Sequence, residues 1–263
     1  MTSSYLFDPK GLVALARYVA PDTLFAFDLD GTLTPIDDEN SDTPLSVPVR
    51  TTLERLVNLA KVAVITGRSR RDAFAILGFE PQMLIGNHGA EWPPHRKSRN
   101  WLIVERCLKW REQLSGALFC VQGLEIKFQV ESLSLHFDKA VDPVITLSQL
   151  NSAIDELDPS PRRIYGKNVV NLLAMEALTK GESLVAAIDK LGLKRAIYFG
   201  DDDTDEEVFQ LKSSDIFSVR IGKDDQTAAS YYLNKQSEIL GLLNSMVGML
   251  EIQQIDSVKS VNC

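Results

Sequence analysis

Phe25-Ala-Phe-Asp28-Leu-Asp30-Gly31-Thr32-Leu33-Thr34 joins an apolar run, opened by Leu24, to two carboxylates and a glycine turn. A short run so continuously apolar reads as a strand buried on both faces, the kind that parallel sheets contain. Acids at i and i+2 leave such a strand facing the same way. At the C-terminal edge of an open α/β sheet, where ligand crevices form, paired carboxylates can divide nucleophilic and acid/base roles around one cation. The plainer alternative is an Asp-Gly turn with solvated acids.

Working outward, the same pattern recurs in Val62-Ala-Val-Ile65, Met83-Leu-Ile85, Ala196-Ile-Tyr-Phe199 and Ile216-Phe-Ser-Val-Arg220. Between these runs lie helical spacings: Leu53, Leu56, Val57 and Ala60, then Leu184, Ala187, Ile188 and Leu191. Strand and helix alternate, which predicts an α/β fold with a doubly wound parallel sheet. The alternation stops between Trp92 and Met175, so we expect a core of residues 1–91 and 176–263 interrupted by a smaller α/β domain over 92–175. Inside it, Leu124–Val130 and Leu133–Phe137 read as two antiparallel strands joined by a tight turn at Glu131-Ser132. Pro93-Pro94 and Pro159-Ser-Pro161 punctuate the segment, and no internal repeat is evident.

Three further strand ends carry chemistry. Ile65-Thr66-Gly67-Arg68 supplies a hydroxyl and a glycine N–H that can approach a phosphate oxygen, with helix capping by Thr66 or Ser69 as the alternative. Thr179 and Glu182 have capping-box spacing. Lys180, between them, opposes the helix dipole and is better tolerated facing bound phosphate or the carboxylates. Gly200-Asp201-Asp202-Asp203-Thr204-Asp205-Glu206-Glu207 follows an apolar strand with dense negative charge. Thr204 and Glu207 repeat the capping-box spacing, so Asp203, Glu206 and Glu207 are expected to serve the helix or solvent. Asp201 and Asp205 are candidates to converge on Asp28 around a hard cation such as Mg2+.

The chain of 263 residues is 44% apolar and 24% charged, enough to bury one or two cores, and its formal net charge is -8. That charge gives no general attraction to nucleic acid or anionic lipid, so the expected partner is a small molecule, with no obligate protein partner evident. Met1 to Pro21 lacks the pattern of a secretory signal because Asp8 and Lys10 break it, and Ile239–Leu250 is too short to span a bilayer. The expectation is a cytoplasmic protein, not a membrane one, with Ile239–Leu250 a core helix. Cys107, Cys120 and Cys263 have no metal or redox spacing and read as unpaired thiols.

Taken in order, the four strand ends resemble the haloacid-dehalogenase-like phosphohydrolase superfamily: Asp28-Leu-Asp30-Gly31-Thr32, Thr66, Lys180, and Gly200 to Asp205. The resemblance implies a Rossmann-like core bearing an inserted cap domain. It implies that Asp28 attacks phosphorus, and that Asp30 protonates the leaving alcohol and then activates water. Thr66 and Lys180 would hold the phosphoryl group. Asp28, the backbone carbonyl of Asp30 and Asp201 would bind Mg2+, with Asp202 and Asp205 supporting it directly or from behind.

Gly86-Asn87-His88-Gly89-Ala90-Glu91, Glu125-Ile-Lys127 with His136, and Thr179-Lys180-Gly181 narrow the resemblance to the trehalose-6-phosphate phosphatase family. Glu125 and Lys127, two apart on a strand, project from one face and could hydrogen-bond sugar hydroxyls, a cross-strand ion pair being the alternative. Gly67, Arg68, His88, Glu91, His136 and Asn171 complete the expected substrate-binding set, although His88 and Glu91 also suit a packing role. One departure stands out: near Asn171 the family often carries a sugar-binding glutamate. An amide can still donate and accept. Related esters, of the sucrose-phosphate or mannosyl-phosphoglycerate type, a phosphomutase and a non-catalytic sugar-phosphate sensor are the competing readings.

Overall fold

In the computed structural model the structure describes residues 3–36, 43–93, 101–211 and 213–261. The chain forms two compact units, Met1–Trp92 with Leu178–Cys263, and Pro93–Ala177. The first opens with β1 (Ser4–Tyr5), α1 (Pro9–Ala16), β2 (Thr23–Phe27), α2 (Val47–Leu59), β3 (Lys61–Ile65), α3 (Arg70–Leu77) and β4 (Met83–Ile85). The second contains α4 (Trp101–Ala117), β5 (Glu125–Phe128), β6 (Ser132–His136), α5 (Pro143–Asp155), β7 (Arg162–Gly166) and β8 (Val169–Leu173). The chain then returns to the first unit with α6 (Lys180–Lys190), β9 (Arg195–Gly200), α7 (Glu206–Phe209), β10 (Ile216–Ile221), β11 (Tyr231–Leu233) and α8 (Ile239–Val261).

Among the described residues of the first unit, seven strands form one parallel sheet in the order β1-β11-β10-β9-β2-β3-β4. Apolar side chains leave β2 on both faces. Phe25 and Phe27 join the cluster containing Leu53 and Leu56 of α2 and Leu242 and Met246 of α8. Leu24 and Ala26 join the cluster with Leu184 of α6 and Val208 of α7. Burial on both sides is why the strand reads as a continuous run instead of an alternating one. Helices on both faces make the sheet doubly wound, as expected.

β1 and β11 escaped the sequence reading. They hold two and three residues, too few for a pattern, and depend on partners: Tyr231 stacks on Phe217 with ring centroids 4.7 Å apart. Ile239–Leu250 is indeed helical, continuing to Val261, and buries Leu242, Leu243, Met246 and Leu250. Among the described residues no helix is long and apolar enough to cross a membrane. Cys107 is buried, Cys120 exposed, and both are free thiols; Pro94 and Cys263 lie outside the described residues.

The second unit is an antiparallel sheet, β5-β6-β8-β7, with α4 and α5 against one face. Leu133, Leu135, Val170 and Leu172 point into that apolar cluster. The hairpin differs from expectation. Phe128 pairs with Leu133, so the turn falls at Gln129–Glu131, Val130 takes φ 67°, and Ser132 belongs to the strand. The observed register differs by two residues from the expected one, which leaves every side chain on its original face, so alternation alone could not distinguish them. β7 was also missed, because Arg162 and Arg163 begin it.

Trp110 anchors this unit: it is fully buried and its indole N–H donates to the Pro159 carbonyl at 2.9 Å. Trp110→Ala should lower the unfolding free energy by about 3–5 kcal/mol, measured by urea denaturation followed by circular dichroism. A loss below about 1 kcal/mol would contradict this packing.

Candidate active site

The strand order reverses between β2 and β9, the place where an open parallel sheet opens a crevice at its C-terminal edge. Phe27 and Phe199 stack there, centroids 4.9 Å apart, and Asp28 N donates to the Phe199 carbonyl at 2.8 Å. Asp28 follows β2 and Asp201 follows β9, so the two acids meet where neither strand has room to diverge.

Lys180, at the first position of α6, is 1% exposed. Its Nζ lies 3.0 Å from Asp28 Oδ1, 2.9 Å from Asp205 Oδ1 and 3.7 Å from Asp202 Oδ1. Thr179 and Glu182 close the expected capping box behind it, fixing the turn that delivers the ammonium. Glu207 Oε2 accepts from Lys180 N at 3.0 Å. Burial opposes the lysine's charge, but Asp205, Asp28 and Asp202 outweigh it and hold the ammonium's pKa well above its ordinary value. Burial raises the Asp28 carboxyl well above the usual range, against the pull of Lys180. Burial, with Asp205 and Asp202 nearby, pushes Asp201 up to about 7.

Asp205 is the most heavily bonded acid of the group. Oδ1 accepts from Lys180 Nζ and from the Tyr198 hydroxyl at 2.6 Å, and Oδ2 from the backbone N–H groups of Asp201 and Asp202 at 2.8 and 3.0 Å. Asp202 turns the loop instead. Its Oδ1 accepts from Thr204 N and Oγ1 at 2.9 and 2.7 Å, and though burial would raise it, Lys180 and these bonds hold it below the usual carboxylate range. The expected Thr204–Glu207 capping box is therefore corrected: Thr204 serves Asp202, Glu207 serves Lys180, and α7 begins at Glu206 without a side-chain cap. Glu206 pairs with Arg220 at 3.2 Å.

Asp28, Asp201 and Asp205 bring carboxylate oxygens within 4.8 Å of one another. With four donors already on the Asp205 oxygens, Asp28 and Asp201 are the open pair, an anionic oxygen donor set that fits a hard divalent cation such as Mg2+. Thr32 Oγ1 donates to Asp201 Oδ1 at 3.1 Å. Gly31, at φ 79°, makes this approach possible, because a Cβ there would overlap the Asp201 carboxylate. No local pattern in the sequence marks the Thr32–Asp201 bond, because its partners stand 169 residues apart. Tyr198 left no sequence signal, since a tyrosine inside an apolar strand reads as core.

On the β3 side, Thr66 is buried, its Oγ1 accepting from Arg68 N at 3.2 Å, while Ser69 caps α3. Arg68 turns onto Asp30, with Nε and Nη2 each 2.7 Å from a carboxylate oxygen. The His88 ring lies over Gly67, where a Cβ would come 2.5 Å from Cε1. Glu91 Oε2 accepts from Arg70 N at 2.7 Å and Asn87 Nδ2 at 3.3 Å, so this oxygen braces the loop. Asp28, Asp30, Thr66, Gly67, Arg68, His88, Glu91, Lys180, Asp201, Asp202 and Asp205 all belong to the first unit.

Glu125, Lys127, His136 and Asn171 belong to the second unit and share the sheet face opposite the apolar cluster. Glu125 lies directly across from His136, and Lys127 across from Ser134, which is across from Asn171. Lys127 Nζ is 3.9 Å from Glu125 Oε2, an exposed pair along one strand of little energetic weight. Burial and Lys127 lower the His136 pKa. Ser134 Oγ donates to Asn171 Oδ1 at 2.6 Å. Ser134 stands two residues before His136 and so shares its strand face, which is the signal the sequence carries for it.

A sequence model described as trehalose-phosphatase matches residues 26–237. The chain is 27% identical over 264 residues to a trehalose-phosphate phosphatase of Mycobacterium marinum, covering 92% of this chain and 67% of that protein. It is 24% identical over 251 residues to a probable trehalose-phosphate phosphatase I of Arabidopsis thaliana, covering 86% and 68%. In fold it is similar to a solved trehalose-6-phosphate phosphatase related protein, with a TM-score of 0.72 at 20% identity over 88% of this chain and all of that one.

The buried acids set a pH dependence. Burial raises Asp201 to about 7, so the metal-free folded chain retains a proton that an unfolded chain releases at about pH 4. Native protein binding more protons means stability falls as pH rises from about 4 to about 7. Asp202 acts in the opposite sense but lower, its contribution being lost as pH falls below the ordinary carboxylate range. Thermal melts in EDTA should decline across that window and millimolar Mg2+ should flatten the decline. Melting temperatures that rise with pH in EDTA would refute the arrangement.

Proposed function

This chain belongs to the trehalose-phosphatase family, and we propose that it hydrolyses trehalose 6-phosphate to trehalose and phosphate through a covalent intermediate on Asp28. It is a phosphoric monoester hydrolase. The observation that carries the reading is the buried ammonium of Lys180 at 3.0 Å from Asp28, at the reversal point of the sheet.

The chemistry follows from the residues. An Asp28 oxygen attacks phosphorus as the bond from phosphorus to the sugar oxygen breaks, and Asp30 gives that oxygen its proton. Asp30, now a carboxylate, takes a proton from water. The water oxygen attacks phosphorus, and the bond to Asp28 breaks to release phosphate. Lys180 stabilises the charge spread over the moving phosphoryl oxygens, and the Thr66–Gly67 turn offers further polar contacts. Asp28, the Asp30 carbonyl and Asp201 would hold Mg2+, which would supply further positive charge for phosphoryl transfer. Asp205, both oxygens already doubly engaged, braces the Asp201 loop and orients Lys180 instead of serving as a ligand. Asp202 shapes the loop that presents Asp201.

The second unit, as the cap, selects the sugar through Glu125, Lys127, His136 and Asn171, with His88 and Glu91 fixing the loop beside the phosphate turn. Asn171 also supports a second reading, another disaccharide phosphate, because a neutral amide, its Oδ1 accepting from Ser134, stands near where the family resemblance implies a sugar-binding glutamate. A cytoplasmic enzyme acting on a small sugar phosphate accords with the free thiols at Cys107 and Cys120.

A panel of phosphorylated sugars with Mg2+ tests the substrate by phosphate release: trehalose 6-phosphate should be turned over fastest. Turnover no faster than with glucose 6-phosphate or sucrose 6-phosphate would refute the assignment. Asp28→Asn should abolish turnover, a loss of at least about 10⁴-fold, while preserving the melting transition. EDTA should inactivate the wild type and Mg2+ should restore it.

A further inference from the structure

Asp30 and Arg68 come from the loops after β2 and β3. Arg68 Nε donates to Asp30 Oδ2 and Nη2 to Oδ1, both at 2.7 Å. This two-point fork requires both carboxylate oxygens as acceptors and fixes the plane of the group. Asp30 has little else to hold it, its side chain being 41% exposed against 18% for Arg68. The arginine is itself held. Asn87 N donates to the Arg68 carbonyl at 2.8 Å and His88 N to the Thr66 carbonyl at 2.9 Å, while Glu91 accepts from Arg70 N. The turn from Gly86 to Glu91 thus grips the backbone on both sides of Arg68, and the effect ends at Asp30.

We infer that Arg68 is a positioning residue for Asp30, and that the Gly86–Glu91 turn acts on catalysis by fixing Arg68. The inference rests on the reading of Asp30 as acid and base. When Asp30 is charged, the guanidinium aligns both oxygens. As the acid, Asp30 passes its proton to the departing sugar oxygen as the phosphorus–oxygen bond breaks; one bond of the fork gives way to that proton while the other keeps the carboxyl in place. Without the fork, the half-exposed carboxyl samples several rotamers, and delivery of the proton becomes slow. A guanidinium bound directly to the substrate phosphate would instead affect every ester alike.

The test compares two leaving groups by kcat/KM, which covers the steps through release of the alcohol. A sugar oxygen needs the proton from Asp30, whereas the phenolate of p-nitrophenyl phosphate leaves without one. Arg68→Ala should lower kcat/KM about 100-fold for the sugar phosphate that the wild type hydrolyses best, and less than one-tenth as much for p-nitrophenyl phosphate. Asp30→Asn should give the same contrast, and the double variant should lose no more than Asp30→Asn alone. Arg68→Lys keeps the charge without the fork and should show the contrast more weakly, which carries the test if Arg68→Ala fails to fold. Equal losses for both esters, with weaker inhibition by inorganic phosphate, would make Arg68 a phosphate ligand and overturn the inference alone. No loss with either ester would also overturn it. A wild type inert toward both would overturn the reading of Asp30 and this inference with it.

Discussion

Lys180 sits between Asp28 and Asp205 in a nearly dry pocket, and much of the site follows from keeping that ammonium charged. Taking a cation and its partners out of water costs several kcal/mol per ion, recovered only with close geometry and further hydrogen bonds. Those conditions are met around Asp205, whose oxygens accept from Lys180, Tyr198 and two backbone amides. They also constrain the chain far from the charges. α6 must start where it does, so Thr179 and Glu182 cap it reciprocally. β2 and β9 must end side by side, so stacked phenylalanines fill the space beneath. An isolated lysine in that position would shed its proton; this one is held by the acids it serves.

Close approach is the second constraint. Gly31 leaves room for the Asp201 carboxylate, and Gly200 leaves room for that of Asp205, since a Cβ at either would overlap the acid. Gly67 plays the corresponding part for the His88 ring. Gly31 and Gly67 thereby bring the loops of adjacent strands together, while Gly200 lets the loop after β9 fold back on itself so that Asp205 can accept from the Asp201 and Asp202 backbone. The acids of one loop, the hydroxyl of another and the arginine beside it then share a volume that no single segment of sequence could build.

What was legible in the sequence is what local physics determines. β2, β3, β4 and β9 were readable because strands buried on both faces are near-continuous apolar runs, and β10 because Ile216, Phe217 and Val219 keep most of that pattern around Ser218 and Arg220. The Thr179 capping box was readable because its spacing is short-range. Lys180 betrayed itself by opposing the helix dipole. The β5–β6 register stayed hidden because a two-residue shift preserves the faces, and β1 and β11 because their stability lies in their neighbours. At the site, the acids were legible and their division of labour was not. Asp201, Asp202 and Asp205 look alike in sequence. Only the hydrogen bonds separate an acid left open toward Asp28 from one that shapes a loop and one that carries Lys180. The Arg68–Asp30 fork was illegible for the same reason: each residue had a local explanation, and their pairing depends on the alignment of two strands.

The central claim is that phosphate passes through the Asp28 carboxylate. Rapid quenching of the Mg2+-loaded enzyme during turnover, followed by borohydride reduction and peptide mass spectrometry, tests it directly, because an acyl phosphate is reduced where a free carboxylate is not. The account predicts a reduced aspartyl residue at position 28, formed only when substrate is present. Reduction at another acid, or none in an enzyme that is releasing phosphate, would contradict it.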